Sequence, residues 1–241
     1  MKITFIGTSH GYPEPNRKCS CTLIEIQHKK YILDMGCNPV EYLTNVGLCV
    51  RDIDAIFISH THGDHTNGLL PFTELTNGKY KNAKAELYIP TMKVKDAINS
   101  WKAMNNAKLR EDMLFHEISE GKIFNDGTLK VTAFGNKHMD KSYSFLFEAE
   151  GKKMLFTCDL GSDGGHSEFK DMMTESYDLV VGEGVHFSPL DYKDGLMQHP
   201  PKAMYITHYA TRTLKDIMQL REDMQEIVSI ELATDGLVVE L

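Results

Sequence analysis

The segment that decides the fold is Ser59-His60-Thr61-His62-Gly63-Asp64-His65, in which four potential metal ligands occupy six residues. It continues an apolar run, Ala55–Ser59, that predicts a short buried strand. In an extended segment, residues two apart point in the same direction, so His60 and His62 can present their imidazoles to one ion. The segment therefore predicts a metal site at the end of a strand.

The second half of this segment supplies ligands for a second ion. Gly63 permits a sharp turn that brings Asp64 and His65 beside the first ion. An alternative is a polar turn in which Asp64 caps a helix that begins at Thr66. Because that alternative leaves three histidines without a function, we favour a site for two metals.

Two metals need more ligands than one loop offers, and strand ends are where active-site residues are expected. Three candidates follow predicted strands: His138 after the strand that ends at Phe134, Asp159 after Lys153–Thr157, and His208 after Met204–Thr207. A lone histidine is more often a hydrogen-bonded packing residue. The three candidates together support one another as ligands.

Strands and helices alternate along the chain. Strands are predicted at Ile3–Ile6, Thr22–Ile26, Tyr31–Leu33, Ala55–Ser59, Glu86–Ile89, within Lys122–Phe134 on both sides of a turn at Asn125-Asp126-Gly127, and at Ser144–Glu148, Lys153–Thr157, Leu179–Val181 and Met204–Thr207. Helices are predicted at Asn38–Val46, Thr66–Leu75, Lys93–Asn105 and Arg212–Gln225. We find no internal repeat and no linker composition, so a single α/β domain over residues 1–241 is expected.

The predicted helix Lys93–Asn105 has apolar residues at helical spacing. They are Val94, Ala97, Ile98, Trp101 and Met104. Such a stripe is typical of packing against a core, and we expect it to be buried rather than to form a cofactor site.

Composition limits the class of partner and the location. The formal net charge of -8 disfavours sequence-independent binding to a polyanion such as tRNA, which depends on many lysine and arginine contacts to phosphates. No apolar stretch has the length of a membrane span, and the start of the sequence lacks the features of a signal peptide. Five cysteines form an odd set that is typical of free thiols in a reducing compartment. We therefore expect a cytoplasmic protein.

The order of the ligand candidates resembles the five motifs of the metallo-β-lactamase superfamily across essentially the whole chain. The matching positions are Asp34, the block His60–His65, His138, Asp159 and His208. The resemblance implies an αββα sandwich, in which two mixed sheets face each other with helices outside. It also implies that His60, His62 and His138 bind one metal, that Asp64, His65 and His208 bind the second, and that Asp159 bridges them.

The resemblance gives Asp34 a supporting role beneath the histidine loop rather than a metal, and a simple turn aspartate before Gly36 is the alternative. Two metals lower the pKa of bound water so that hydroxide forms near neutral pH, and they neutralise charge on the attacked group. Asp64 would orient that hydroxide or take its proton. A ligand set rich in histidine with a bridging carboxylate favours zinc, with manganese or iron as alternatives.

Within the superfamily, the chain resembles the ribonuclease Z-like branch and its phosphodiesterase relatives. The resemblance rests on three segments: Gly7-Thr8-Ser9 with Asn16-Arg17, Asp178-Leu179-Val180-Val181-Gly182-Glu183, and Ile206-Thr207-His208-Tyr209-Ala210-Thr211-Arg212. It implies that Glu183 acts with a histidine on the leaving group, for which His186 is a weaker candidate, and that the protein forms a homodimer.

The chain departs from the tRNA-processing pattern, because only twenty residues separate His138 from Asp159, where that branch inserts its tRNA-binding arm. A small phosphodiester, such as a cyclic nucleotide, is therefore the expected substrate, and tRNA is not. Hydrolysis of a lactone, ester or thioester is an alternative for the same metal centre. A metal-bound sensor without activity is an alternative of another class.

Other polar residues receive no firm function from the sequence. Ser9 and His10 lie in a loop that could overhang the metals or be simply solvated. Cys19-Ser20-Cys21 lacks a second thiol pair to complete a zinc site. His199 precedes two prolines, and a rigid surface loop is the favoured interpretation.

Overall fold

The computed structural model describes residues 1–12, 14–163 and 166–241, and its strands are numbered in chain order. They are β1 (Lys2–Gly7), β2 (Cys21–Ile26), β3 (Lys29–Leu33), β4 (Ala55–Phe57), β5 (Glu86–Ile89), β6 (Phe115–Glu117), β7 (Gly121–Asn125), β8 (Lys130–Gly135), β9 (Tyr143–Ala149), β10 (Lys152–Phe156), β11 (Ser162–Asp163), β12 (His166–Ser167), β13 (Leu179–Gly184), β14 (Ala203–Tyr209), β15 (Ser229–Leu232) and β16 (Val238–Glu240). The α-helices are α1 (Pro39–Asn45), α2 (Gly63–Thr66), α3 (Leu69–Asn77), α4 (Lys93–Ala103), α5 (Phe169–Met172), α6 (Tyr192–Gln198) and α7 (Leu214–Met224).

Most strands belong to two mixed sheets of seven strands each. The first sheet has the spatial order β16-β1-β2-β3-β4-β5-β6, and the second has the order β15-β14-β13-β10-β9-β8-β7. Antiparallel hairpins open each sheet, whereas β3, β4, β5 and β6 of the first sheet and β10, β13, β14 and β15 of the second pair in parallel. The carboxyl ends of these parallel strands carry the polar loops described below.

The two sheets face each other across an aromatic core. Phe57 of β4 lies 5.4 Å from Phe147 and 6.3 Å from Phe145 of β9, measured between ring centroids. All three side chains are fully buried. Burial of each aromatic ring stabilises the fold by roughly 2–3 kcal/mol, so this contact is a principal link between the sheets.

Helices cover the outer face of each sheet. Leu43 of α1, Phe72 of α3 and Ile98 of α4 share a buried cluster with the outward residues of the first sheet. The second sheet has an equivalent cluster with α5, α6 and α7. Alternate residues of each strand enter the inner and outer layers, which confirms the predicted αββα sandwich.

The structure corrects several predicted boundaries. The helix predicted at Thr66–Leu75 is interrupted at its start: α2 ends at Thr66 and α3 begins at Leu69. Gly68 lies between them against the backbone of Cys37, where a side chain would not fit. The helix predicted at Arg212–Gln225 begins instead at Leu214, after a 3-10 turn. The prediction missed α6, since its seven residues include Gly195, a poor helix former.

The prediction that the stripe on α4 is buried was wrong for most of its members. Ile98 is 4% exposed and packs against the first sheet, but Trp101 and Met104 are 51% and 66% exposed. The periodicity identifies an amphipathic helix correctly but does not determine how much of its apolar face another element covers. The α4 helix therefore presents a large aromatic side chain to solvent.

None of the helices in the described ranges is both long and apolar enough to span a membrane.

Candidate metal centre

Asp34 supports the histidine loop from below. It follows β3 directly, and its carboxylate accepts the Ser59 N–H at 2.8 Å and the Ser59 hydroxyl at 2.9 Å. The same carboxylate accepts the Nδ1–H of His65 at 2.8 Å. Asp34 is 4% exposed, so these bonds form in a site of low dielectric, where they fix the loop after β4.

One group of metal-binding side chains, here named donor cluster A, contains His60, His62, His138 and Asp159. The Nδ1 atom of His62 lies 3.1 Å from Nε2 of His60 and 3.1 Å from Nε2 of His138. One ligand atom from each residue fits within 4.8 Å of all the others. Three imidazoles and a carboxylate at this spacing are a ligand set suited to zinc or a similar divalent metal.

A second group, donor cluster B, contains Asp64, His65, Asp159 and His208. The Nε2 atoms of His65 and His208 lie 3.3 Å apart, and Nε2 of His208 lies 3.1 Å from Oδ2 of Asp64. His65 lies in α2, which follows β4 of the first sheet, and His208 lies in β14 of the second sheet. The cluster therefore lies across the junction of the two sheets.

Asp159 belongs to both clusters. Its Oδ2 atom lies 3.3 Å from Nε2 of His65, 3.5 Å from that of His208 and 3.6 Å from that of His60. Among the described residues, the buried atoms Oδ1 of Asp159 and Nδ1 of His208 have no hydrogen-bond partner. Buried polar atoms are normally paired. A cation held by the Asp159 carboxylate would satisfy Oδ1, so the residues present fit a pair of metal ions.

Three non-glycine residues beside the clusters have left-handed backbone conformations. The φ angles are +57° at Asp34, +52° at Cys158 and +47° at His208. Such conformations cost on the order of 1–3 kcal/mol each and are concentrated at functional sites. His208 was expected to follow its strand but lies within β14, and its φ angle breaks the alternation of side chains there.

The pKa values of the buried histidines are shifted in different directions. Burial, together with the neighbouring His65, lowers the pKa of His60 to about 2, so its imidazole is neutral and has a free lone pair. Burial by itself would raise the pKa of Asp159, but the surrounding histidines, led by His65, hold it well below the usual range. Burial by itself would lower the pKa of His65, but the carboxylates of Asp159 and Asp34 outweigh this effect and raise that pKa well above the usual value. A divalent metal held by His65 would therefore displace a proton from that imidazole, whereas His60 is already neutral.

Glu183 and His186 lie next to the donor clusters. Glu183, on β13, is 1% exposed and accepts backbone N–H bonds from Leu160, Val185 and His186 at 2.9–3.0 Å. Its Oε1 atom lies 2.9 Å from Nδ1 of His186. The ring of His186 stacks on that of His208 with a centroid distance of 5.5 Å. The structure thus brings together the two candidates predicted to act on a leaving group.

The loop after β1 also reaches the site, which the sequence left undecided. His10 is 9% exposed, and its ring centroid lies 6.3 Å from that of His208. At Gly11 a Cβ atom would lie 3.1 Å from Oδ2 of Asp64, so the backbone passes close to that carboxylate. In the sequence, this close approach of the backbone to Asp64 is indicated by Gly11, which directly follows His10.

Other candidates lie elsewhere. His199 contacts the Gln198 amide at 3.4 Å. Within the described ranges, neither His199 nor any cysteine belongs to one of the clusters that could hold a metal. All five cysteines are unpaired, as the sequence predicted.

The chain is similar to several known proteins. A family model described as "Anti-Pycsar protein Apyc1" matches residues 1–229. A curated relative, ribonuclease BN of Citrobacter koseri, is 29% identical over 156 residues, which cover 63% of this chain and 51% of the relative. The chain thus matches about half the length of that relative.

Solved structures show the same fold. The metallo-β-lactamase fold protein YhfI from Bacillus subtilis has a TM-score of 0.77 at 18% identity and covers 99% of both chains. Human tRNase Z, short form, has a TM-score of 0.76 at 22% identity and covers 100% of this chain and 99% of its own. The chain therefore has the metallo-β-lactamase fold, and the predicted resemblance to ribonuclease Z-like proteins is confirmed.

Proposed function

Since this chain belongs to the family described as Anti-Pycsar protein Apyc1, we propose that it is a metal-dependent phosphodiesterase that hydrolyses a small phosphodiester. The observation that carries the proposal is the position of Asp159, whose Oδ2 atom lies 3.3–3.9 Å from nitrogens of five histidines. One carboxylate shared by two donor clusters is the arrangement that holds two cations beside one phosphate group.

The two clusters divide the ligands between the cations. His60, His62 and His138 would hold the first, Asp64, His65 and His208 the second, and Asp159 both. We propose zinc in each position, because several imidazoles with a shared carboxylate suit it; manganese and iron are the alternatives. When bound, two such ions activate water and neutralise the charge that develops on the phosphate.

Asp64 has a second role in this proposal. Its Oδ2 atom lies 3.1 Å from Nε2 of His208, and the backbone at Gly11 closes over the same carboxylate. The side chain is therefore confined to one position at the edge of donor cluster B. From that position Asp64 orients the attacking water and accepts its proton.

Glu183 and His186 act on the leaving group. The 2.9 Å bond from Nδ1 of His186 to Glu183 sets the orientation of the imidazole, which leaves Nε2 available for proton transfer. His186 retains partial exposure, since 31% of its side chain is accessible, whereas Glu183 is buried. We assign His186 as the proton donor to the departing oxygen and Glu183 as the residue that positions it.

A small substrate suits this site better than a structured RNA. The twenty residues between His138 and Asp159 include the core strands β9 and β10, so the interval is occupied by the second sheet itself. The chain also carries a net charge of -8. A cyclic nucleotide is therefore the leading candidate substrate. The similarity to ribonuclease BN favours one competitor, an RNA phosphodiester.

The proposal is tested with purified protein whose metal content has been measured, before and after zinc or manganese is restored. Hydrolysis of bis(p-nitrophenyl) phosphate is followed beside a panel of cyclic nucleotides, a tRNA precursor and a lactone. The Asp64→Ala variant is compared with Asp194→Ala, which removes an exposed carboxylate that contacts Lys170 at 3.3 Å, away from the donor clusters. We expect activity on cyclic nucleotides that is lost in Asp64→Ala and retained in the control.

Other results of this test would support the alternative functions. Turnover of the lactone without any phosphodiester would establish the ester, lactone or thioester alternative. Faster cleavage of the tRNA precursor than of cyclic nucleotides would establish the RNA competitor. A fully metallated protein that hydrolyses none of the substrates would favour a metal-bound sensor.

We also propose a domain organisation, a location and an assembly for the protein. The whole of residues 1–241 is proposed to form one domain, and the location is proposed to be the cytoplasm, in accord with the five unpaired cysteines. A homodimer is proposed from the resemblance to the ribonuclease Z-like branch alone. Analytical ultracentrifugation of the purified protein tests the assembly.

A further inference from the structure

An open groove lies between α3 and α4, next to the donor clusters. We name it the Trp101 groove, and its lining includes Thr61, Leu69, Lys93, Ile98, Trp101 and Met139. Its volume is about 710 Å³. Pockets for small molecules usually measure roughly 300–1,000 Å³, so the groove has room for one.

The groove is apolar along its floor and carries an exposed aromatic side chain. Leu69 and Ile98 are 2% and 4% exposed and form its base, whereas Trp101 is 51% exposed at its side. Contiguous apolar patches that stay exposed to solvent often mark binding surfaces. An indole face of this kind favours a planar aromatic ligand, which can stack on it.

The groove adjoins both ends of donor cluster A. Thr61 lies between the proposed ligands His60 and His62 in the sequence, and Met139 follows His138. The Thr61 hydroxyl lies 3.9 Å from the Met139 sulfur, so these two residues form a joint wall. Because Thr61 and Met139 are chain neighbours of three proposed ligands, the groove begins within one residue of donor cluster A.

The charges at the rim favour an anion. Lys93 and Lys141 line the groove with one acidic residue, Asp140. Lys141 has only a long contact to Glu117, at 3.9 Å, and retains 47% of its side-chain exposure. The rim therefore offers two ammonium groups to an anionic ligand, beside the carboxylates of Asp140 and Glu117.

We propose that the Trp101 groove binds the base of a nucleotide phosphodiester, with Trp101 as the residue that determines preference for an aromatic base. This inference rests on the proposed phosphodiesterase function and identifies where its substrate is recognised. The phosphate lies at the donor clusters, the base stacks on the indole, and the two rim lysines attract the anion.

A second copy of this chain is the other occupant that such a groove could take. A two-fold contact would bury the same patch of both copies. We favour the nucleotide because it complements both the lysines at the rim and the apolar residues of the groove.

A binding test is available that requires no turnover, because Trp101 is the single tryptophan of the chain. Its fluorescence therefore reports on the groove alone. AMP and CMP are titrated into the zinc-loaded and the metal-free protein, with ribose 5-phosphate as the matched ligand without a base. We expect the two nucleotides to quench or shift the emission and ribose 5-phosphate to leave it unchanged. Equal responses to all three ligands, or none, would overturn the inference.

A kinetic test uses Trp101→Ala, Trp101→Phe and the control Met104→Ala, which removes an exposed apolar side chain of the same region outside the groove. Loss of base stacking should raise the KM for cyclic AMP and cyclic CMP about 5- to 150-fold in Trp101→Ala. Trp101→Phe should recover most of this loss. Hydrolysis of ribose 3,5-cyclic phosphate, which has no base, should change little in any variant.

The outcomes separate this inference from the function on which it rests. If the metallated wild type hydrolyses no phosphodiester, the proposed function fails, and the fluorescence titration still decides whether nucleotides occupy the groove. If the wild type is active but Trp101→Ala and Met104→Ala have equal KM values, the inference fails alone. Dissociation of a wild-type dimer by Trp101→Ala, seen in analytical ultracentrifugation, would assign the groove to a second copy and overturn the inference. Thermal unfolding of each variant verifies its fold.

Discussion

The carboxylate of Asp34 and the imidazole of His65 form a buried pair in which Oδ2 accepts the Nδ1–H at 2.8 Å. Both residues are less than 5% exposed. The bond fixes the tautomer of His65, so that Nε2 is the atom directed to Asp159 and His208. A residue that binds no metal in the proposed site therefore sets the geometry of one that does.

Replacing Asp34 by asparagine should weaken metal binding. The amide can donate as well as accept, so it no longer selects the tautomer with a proton on Nδ1 of His65. We expect the affinity for zinc to fall about 10- to 100-fold, measured by competition with a chromogenic chelator. The control is Asp54→Asn. The Asp54 carboxylate accepts the Lys30 N–H at the start of β3, whereas Asp34 follows the end of that strand. Equal losses in the two variants would contradict the assignment.

Metal removal should lower thermal stability, because the proposed ligands join the two sheets. His60 and His65 follow β4 of the first sheet, whereas Asp159 follows β10 and His208 lies in β14 of the second. A ligand at about 1,000 times its Kd stabilises a protein by roughly 4 kcal/mol, which corresponds to about 8–16 °C at this chain length. Differential scanning fluorimetry with and without EDTA measures the shift. A metallated protein whose Tm is insensitive to EDTA would refute the prediction, and Asp159→Asn should lose most of the shift.

The effect of removing the proposed proton donor on kcat should depend on the leaving group of the substrate. His186→Asn and Glu183→Gln should reduce kcat about 10²- to 10⁴-fold for a substrate with an alkyl leaving group. Both variants should affect a p-nitrophenyl ester much less, because p-nitrophenolate departs without protonation. The matched control is His199→Asn, a histidine outside the donor clusters. Equal reductions for both leaving groups would show that His186 is not the proton donor.

Gly36→Ala should displace Asp64. A Cβ atom at position 36 would overlap the backbone carbonyl of Asp64, which cannot move without shifting donor cluster B. We expect a loss of roughly 1–3 kcal/mol in the free energy of unfolding, together with lower metal content. Gly78→Ala is the control, because the nearest atom to its Cβ, the Glu74 carbonyl oxygen, lies at an ordinary 3.4 Å. Urea denaturation and elemental analysis measure the two effects, and similar values for both variants would count against the prediction.

Local pattern was enough to predict most of the secondary structure. Strand β5 has the predicted bounds, Glu86–Ile89, and β9 differs from the prediction by one residue at each end. Alternating or continuous apolar runs of this length have few other folded arrangements. Elements held mainly by their neighbours were missed, as with α6, where Gly195 packs against Phe169.

The exposure of Trp101 shows the limit of periodicity. Its spacing relative to Ile98 predicted a place on an apolar face, and the helix does bury Ile98. Whether the rest of that face is covered depends on the position of α3 and of the segment at Met139, which lie far from Trp101 in the sequence. Only the folded chain shows that these segments leave a groove.

By itself, the sequence identified the proposed ligands and the order in which they occur. Four donors in the block His60–His65 are local, so chain connectivity alone brings them together. Tertiary structure decided everything that depends on two sheets meeting: the approach of His138, Asp159 and His208 to that block, and the sharing of Asp159 between two clusters. The physical reason is that these contacts join residues from 76 to 144 positions apart. Their distances are set by the packing of Phe57 against Phe147 between the sheets and not by any local preference of the chain.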